Sequence, residues 1–208
     1  MARGDFQDAV HREMIKTEQT KGQSVHQHCQ SVWEHYEDLL NYIKYLSLLQ
    51  KKWRLPSWLD KIHADMLHPT FFATSYTLYH DCGKPFCKVV DKDGSIHFPD
   101  HAACSKYVWA CLGLDGRPSG STCNEIVGNL IGWNMVLYTA NAEEIKRYCE
   151  EEWDSKDAFT LLFVSLAEIH SNARLFGGIE SVSFKSKWKK LDRRGKQICK
   201  FYEGKNDE

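Results

Sequence analysis

The chain has 208 residues, with 27 Lys and Arg against 28 Asp and Glu and a formal net charge of −1. Near-neutrality excludes a whole-molecule field for nucleic acid or membrane, and 42% apolar residues exclude a disordered chain. The length suits one core, so a single domain is expected.

No apolar run reaches the ~18 residues needed to span a bilayer. The opening MARGDFQDAVHREMIK is charged throughout and lacks a signal-peptide core. A cytoplasmic protein is expected, with no membrane partner and no evident DNA binding; the oligomeric state is left open. The cysteines at 29, 82, 87, 104, 111, 123, 149 and 199 form no C-x-x-C pair. They read as free thiols in a reducing compartment.

Residues 1–22 space Phe6, Val10, Met14 and Ile15 as a short amphipathic helix would. Ser24 is placed to cap the next element. From 25 to 50, Val25, His28, Val32, Tyr36, Leu39, Ile43 and Leu46 fall near helical spacing. His28 therefore lies on an inward face, whereas His26 and His35 lie off it and are expected in solvent. Taken alone, an inward histidine is better explained by a core hydrogen bond than by a metal, and the later His-Asp pair on another helix shifts that balance.

Pro56 and Pro69 bracket a short helical piece, and Thr70 opens a helix over 71–81 that is apolar all round. That helix delivers the adjacent pair His80-Asp81. A buried aspartate is costly unless paired or metal-bound. Gly83 suits a helix terminator, and Lys84 projects from the same turn. Residues 86–98 read as two short strands about Asp93-Gly94. The D-x-D-G run also opens calcium loops, but the closing glutamate is missing.

Asp100 is a plausible N-cap for a helix carrying His101 in its first turn. Residues 112–122 read as a loop, and 123–138 as an apolar helix with Asn134 among buried neighbours. An acidic exposed helix is expected over 141–153 and a last core helix over 157–176. Glu168 and His170 are about 200° apart around that helix and cannot face one point. The segment 184–200 is locally basic. It reads either as a solvated helix docked by Trp188, Leu191 and Ile198, or as a basic lip for phosphate-bearing ligands.

The runs VHQHCQSV, LYHDCGKP, DKDGSIHFPDHA and LAEIHSNAR resemble the HD superfamily of metal-dependent phosphohydrolases. The central stretch is similar to the HD domain of tRNA nucleotidyltransferases, and LAEIHSNAR to the last core helix of alarmone hydrolases. The resemblance spans roughly residues 24–176. It implies a mainly α fold, a single HD-domain-like helical bundle with a small β-hairpin after the His-Asp motif. A helix over 1–23 would pack on an HD-type domain over 24–180, and 181–208 would be a basic C-terminal extension.

By position, the resemblance makes His28, His80, Asp81 and Glu168 the metal ligands, with His170 as the alternative to Glu168. His101 and Asn134 stand at a second-metal or phosphate position. Lys84 and Arg174 would meet the substrate phosphate, and Asp81 with Lys84 would be catalytic. Glu168 replaces the family's usual aspartate, and Asn134 stands where relatives often carry histidine. One tight metal is expected, with a second, such as Mg, weak or absent.

Mixed imidazole and carboxylate ligands suit Mn, Ni, Co, Fe or Zn. Such an ion makes a bound water a usable nucleophile. The implied function is cleavage of a phosphomonoester or phosphodiester of a nucleotide or RNA end, with 2′,3′-cyclic phosphodiesterase or nucleotidase-like chemistry. Two alternatives stand beside it: a nucleotide-binding or regulatory protein with a structural metal and no turnover, and an alarmone (guanosine polyphosphate) hydrolase. Gly83-Lys84 replaces the acidic pair those hydrolases carry after His-Asp, which argues against the second.

Overall fold

Helix α2 (Val25–Tyr45) starts where the sequence places its cap. Ser24 Oγ accepts the Gln27 N–H at 3.2 Å, and Gln27 Oε1 accepts the Ser24 N–H at 2.9 Å. This reciprocal box satisfies two otherwise orphaned donors. Val25, His28, Cys29, Val32, Tyr36 and Leu39 are all buried along one stripe. The helix stops at Tyr45, short of residue 50, and Leu46 follows at φ 53 and 87% exposed.

The computed structural model describes residues 3–113 and 122–206. Among them the fold is mainly helical with two small antiparallel hairpins. Most of the loop expected over 112–122, together with the Cys123 side chain, lies outside the described residues. The seven cysteines described are all free thiols.

The chain divides into two compact units, each built from two stretches: Met1–Ser31 with Phe71–Asn134, and Val32–Thr70 with Met135–Glu208. They interleave in sequence, with α2 running through the boundary, so the divisions at 23/24 and 180/181 do not coincide with them.

The first unit holds α1 (Arg3–Lys16), a hairpin of β1 (Glu18–Thr20) and β2 (Gln23–Ser24), and α3 (Thr70–Tyr79) from its second residue on. A second hairpin follows, β3 (Val89–Val90) with β4 (Ile96–His97), then α4 (His101–Leu112) and α5 (Thr122–Gly132). The β3–β4 turn closes with Gly94 at φ 83 and Ser95 N–H on Asp93 Oδ1 at 2.9 Å, a hairpin and not an ion loop. The β1–β2 hairpin, by contrast, falls where only helix was expected. Gly22 at φ 79 makes its turn. Phe71 is 61% exposed, so α3, although apolar all round, is not buried on every side.

The second unit has its core in α8 (Ser155–Ser171), which buries ten consecutive residues, 158–167. Asp154 caps it through a capping box with Asp157. Before it come α6 (Val136–Thr139) and α7 (Ala142–Arg147), which runs into a single π-turn. The sequence pattern over 123–138 is thus broken at 133–135, and Asn134 sits in the break.

The basic stretch is part of α9 (Val182–Asn206), docked through Phe184, Leu191 and Ile198, with Trp188 Nε1–H donating to Arg54 O at 2.7 Å. Lys190 donates to Tyr138 O, and Arg194 to Ala140 O at 2.6 Å. Two of the cations expected on a basic lip therefore cap the carbonyl end of α6, as the helix dipole favours.

Candidate metal centre

The His80-Asp81 pair stands where α3 gives way to tighter turns. His80 N–H still makes the helical bond to Tyr76 O at 2.8 Å. Cys82 N–H then reaches Tyr79 O at 3.0 Å, Lys84 N–H reaches Asp81 O at 3.0 Å, and Phe86 N–H reaches Gly83 O at 2.9 Å. This three-residue periodicity brings Lys84 back over Asp81.

Gly83 is required here for a reason the sequence did not suggest. Its φ is −83, so no left-handed backbone is involved. A Cβ at this position would lie 2.3 Å from Ser105 N and 2.5 Å from Cys104 C. The missing side chain lets α4 come against the His-Asp turn, and Gly83 N–H donates to Ser105 Oγ at 2.9 Å. That approach is what places His101.

His28 and His80 are fully buried, and Asp81 is 1% exposed. His80 Nδ1–H donates to Thr77 O at 2.8 Å, which turns Nε2 toward the cluster. His80 Nε2 lies 3.3 Å from His28 Nε2 and 3.3 Å from Asp81 Oδ2, and His28 Nε2 lies 3.4 Å from the same oxygen. Three donor atoms thus mark a nearly equilateral triangle. Ligand bonds of about 2.1 Å in a tetrahedral shell give edges of about 3.4 Å. The residues present therefore fit a divalent ion, and the buried group Cys29, His80 and Asp81 at the same place also brings its ligand atoms within reach of one.

The electrostatics keep Asp81 ionised and divide the two histidines. Burial works against the charged form of Asp81, yet the Lys84 ammonium and the two imidazoles hold its carboxyl well below the usual range. Lys84 Nζ lies 2.6 Å from Asp81 Oδ2 and donates to Gln19 Oε1 at 3.0 Å. Burial pushes His28 down to about 3, so it is a neutral imidazole. For His80 burial is outweighed by Asp81 and Cys29, and its pKa is raised well above the ordinary value. The two histidines shift in opposite directions because burial dominates at His28, whereas at His80 the Asp81 carboxylate and Cys29 outweigh it.

His101 Nδ1–H donates to Phe98 O at 3.0 Å, leaving Nε2 3.7 Å from Asp81 Oδ1. That oxygen is buried with no hydrogen-bond partner among the described residues. Two acceptors facing each other at this separation favour a positive charge between them. Asp100 does not cap α4 with its side chain and takes a left-handed conformation, φ 50, correcting that expectation.

Asn134 is buried, and its Oδ1 accepts the Tyr76 hydroxyl at 2.7 Å, so the oxygen expected at the second site is already hydrogen-bonded. Glu168 is half-buried in the second unit and accepts the Tyr138 hydroxyl at 3.1 Å. His170 lies in the same unit with both nitrogens committed. Nδ1–H donates to Leu166 O at 2.7 Å, and Nε2 accepts the Arg54 N–H at 3.0 Å. As placed, it offers no lone pair, which removes it as the alternative last ligand. Arg174 is exposed in the short 3-10 turn Ala173–Phe176.

Other expectations are corrected by packing. His26 packs edge-on to His11 and His35 edge-on to Trp53, so neither is simply solvated. Cys29, beside His28 in sequence, places its Sγ 3.9 Å from His80 Nδ1. Cys82 is a buried thiol whose pKa burial pushes well up. Gln19 and Ser105 had no sequence signal, since one sits in an unforeseen hairpin and the other on an ordinary helix face. A second acidic group, His68 with Asp154 and Asp157, is accounted for by the capping of α8. His68 Nε2 lies 2.8 Å from Asp157 Oδ1 there.

No protein-family model, no curated protein and no solved structure matches the chain. Among the described residues, no helix is long and apolar enough to cross a membrane.

Proposed function

We propose that this chain is an HD-type metal-dependent phosphohydrolase acting on a phosphomonoester or phosphodiester of a nucleotide or RNA end. The observation that carries the reading is the triangle of His28 Nε2, His80 Nε2 and Asp81 Oδ2, with the Lys84 ammonium beside it. A divalent transition ion held there supplies Lewis-acid polarisation of a phosphoryl oxygen and lowers the pKa of a bound water.

The chain's own residues do the rest. Thr77 O fixes the His80 tautomer, an orienting contact typical of ligating imidazoles. His28 stays neutral and so keeps a donor pair at ordinary pH. Asp81 stays ionised in a dry setting, where its charge is little screened. Lys84 is positioned to meet negative charge developing on phosphoryl oxygens, and His101 at the rim is 17% exposed and able to touch a ligand. The last ligand, Glu168, is assigned by the resemblance.

A second reading is favoured by one contact. Lys84 at 2.6 Å already neutralises Asp81, as a structural ion pair would in a regulatory protein without turnover. The two are separated by measuring metal content of the purified chain and its hydrolysis of bis(4-nitrophenyl) phosphate with added Mn or Ni. Turnover that disappears in Asp81→Ala supports the enzyme, and a panel of 2′,3′-cyclic nucleotides, 2′-nucleotides and guanosine polyphosphates then assigns the substrate. No turnover on any phosphoester, with or without bound metal, overturns it. Glu168→Ala tests the last ligand: metal retained at full stoichiometry removes Glu168 from the set.

A further inference from the structure

We infer that the second unit carries a separate oxyanion site for a phosphate-bearing ligand, in the depression lined by His35, Lys52, Arg174 and the Gly177–Glu180 turn. The cavity has a volume of about 520 Å³. Its basic groups come from three stretches of chain: the outer face of α2, the segment that follows it, and the turn after α8. None of the lining residues belongs to the metal cluster, so the inference does not rest on the proposed hydrolysis.

The case begins with charge. Lys52 and Arg174 have no acidic partner among the described residues. Several other cations of this unit are matched: Lys196 lies 2.7 Å from Asp192, Lys61 2.8 Å from Glu203, and Lys190 and Arg194 sit on helix-end carbonyls. Glu180 is the single carboxylate among the residues lining the cavity. It is already engaged by Lys185 at 2.6 Å and Arg54 at 3.9 Å. Two unmatched cations on one concave wall focus positive potential into it. A guanidinium fork with a point-charge ammonium is the pairing that suits phosphoryl oxygens.

The wall is also held in place. Trp53 lies between His35 and His170, with ring centroids 5.6 and 4.5 Å away. Its indole N–H donates to Asp38 Oδ2 at 2.8 Å, and that carboxylate also accepts the Gln50 and Lys51 N–H groups. The backbone leading into Lys52 is therefore pinned before any ligand arrives, which lowers the ordering cost of binding. Gly177 and Gly178 take φ 87 and 94 in succession, and a Cβ at Gly178 would meet nothing within 4 Å. The turn leaves one side of the cavity open to a ligand.

Calorimetric titration of the full chain, as purified, with inorganic pyrophosphate tests the site. Binding is expected, with affinity falling about tenfold or more in Lys52→Gln/Arg174→Gln, as loss of charge-assisted contacts implies. Affinity is expected to be the same after the chain is dialysed against EDTA to remove divalent metal. Both mutated side chains are exposed, and circular dichroism checks the fold. If the double variant misfolds, Lys52→Gln and Arg174→Lys are titrated singly, each with a weaker affinity expected. No binding of pyrophosphate by the parent chain overturns the inference, as does undiminished binding in the variants. Binding lost after EDTA dialysis and kept in the double variant places the anion at the metal cluster and overturns it too.

Discussion

His80 and His170 begin alike and end differently. Each is buried, and each donates Nδ1–H to a carbonyl within the preceding helical turn, Thr77 O at 2.8 Å and Leu166 O at 2.7 Å. The second nitrogen separates them. His80 Nε2 faces another imidazole and a carboxylate, whereas His170 Nε2 is used up by the Arg54 N–H. A fully satisfied histidine is a strut, and one whose second nitrogen meets other acceptors is a ligand candidate.

The sharpest break between the two regions is expected from Asp81→Ala. Removing one member of a buried charge pair leaves Lys84 uncompensated, at a cost of about 3–5 kcal/mol. Metal content and phosphodiester turnover should be lost together, measured by elemental analysis and the nitrophenyl assay. Asp81→Asn keeps the shape and separates charge from packing: metal should still fall while thermal stability falls less than in the alanine variant.

Gly83→Ala is expected to rank next. Its Cβ meets backbone of α4 and not a flexible side chain, so the helix must move. A loss of about 2–3 kcal/mol is expected from such overpacking. Denaturant midpoints give the size, and Ser105→Ala, which removes only the bond to Gly83 N–H, should cost about 1 kcal/mol.

His170 carries the pH prediction. Burial depresses its pKa to about 4, against an ordinary 6.5. Between those values the unfolded chain binds the proton and the folded chain does not. Stability is therefore full above pH 6.5 and is lost as pH falls toward 4, by up to about 3 kcal/mol at 1.36 kcal/mol per pH unit. His170→Gln should flatten that part of the stability profile while leaving metal content unchanged. A His170 variant stripped of metal would erase the contrast with His80.

The smallest effect is expected from Cys29→Ala. The thiol touches the Nδ1 side of His80, whose hydrogen is already on Thr77 O. Turnover within about twofold of the parent is expected, and a thousandfold loss would make Cys29 part of the chemistry.

Much of this was legible in the residues alone. The Ser24 cap, the inward stripe of α2 with His28 on it, the delivery of His80-Asp81 by a helix that Thr70 begins, and the Asp93-Gly94 hairpin all rest on local rules. Backbone sterics, capping and periodicity act within a few residues, so a short window of sequence carries them. What lay beyond reach depended on parts distant along the chain. Gly83 looks like a helix terminator until the backbone of residues 104–105 arrives beside it. In sequence, Glu168 stands as the last ligand with His170 as its alternative. Only the Arg54 N–H, 116 residues away, decides that His170 has no pair to give. The spacing of the residues determined that His28 would face inward and that an apolar helix would deliver His80-Asp81. Tertiary packing decided which of their lone pairs were left to meet, because a hydrogen-bond partner is settled by proximity in space and not by neighbourhood in the chain.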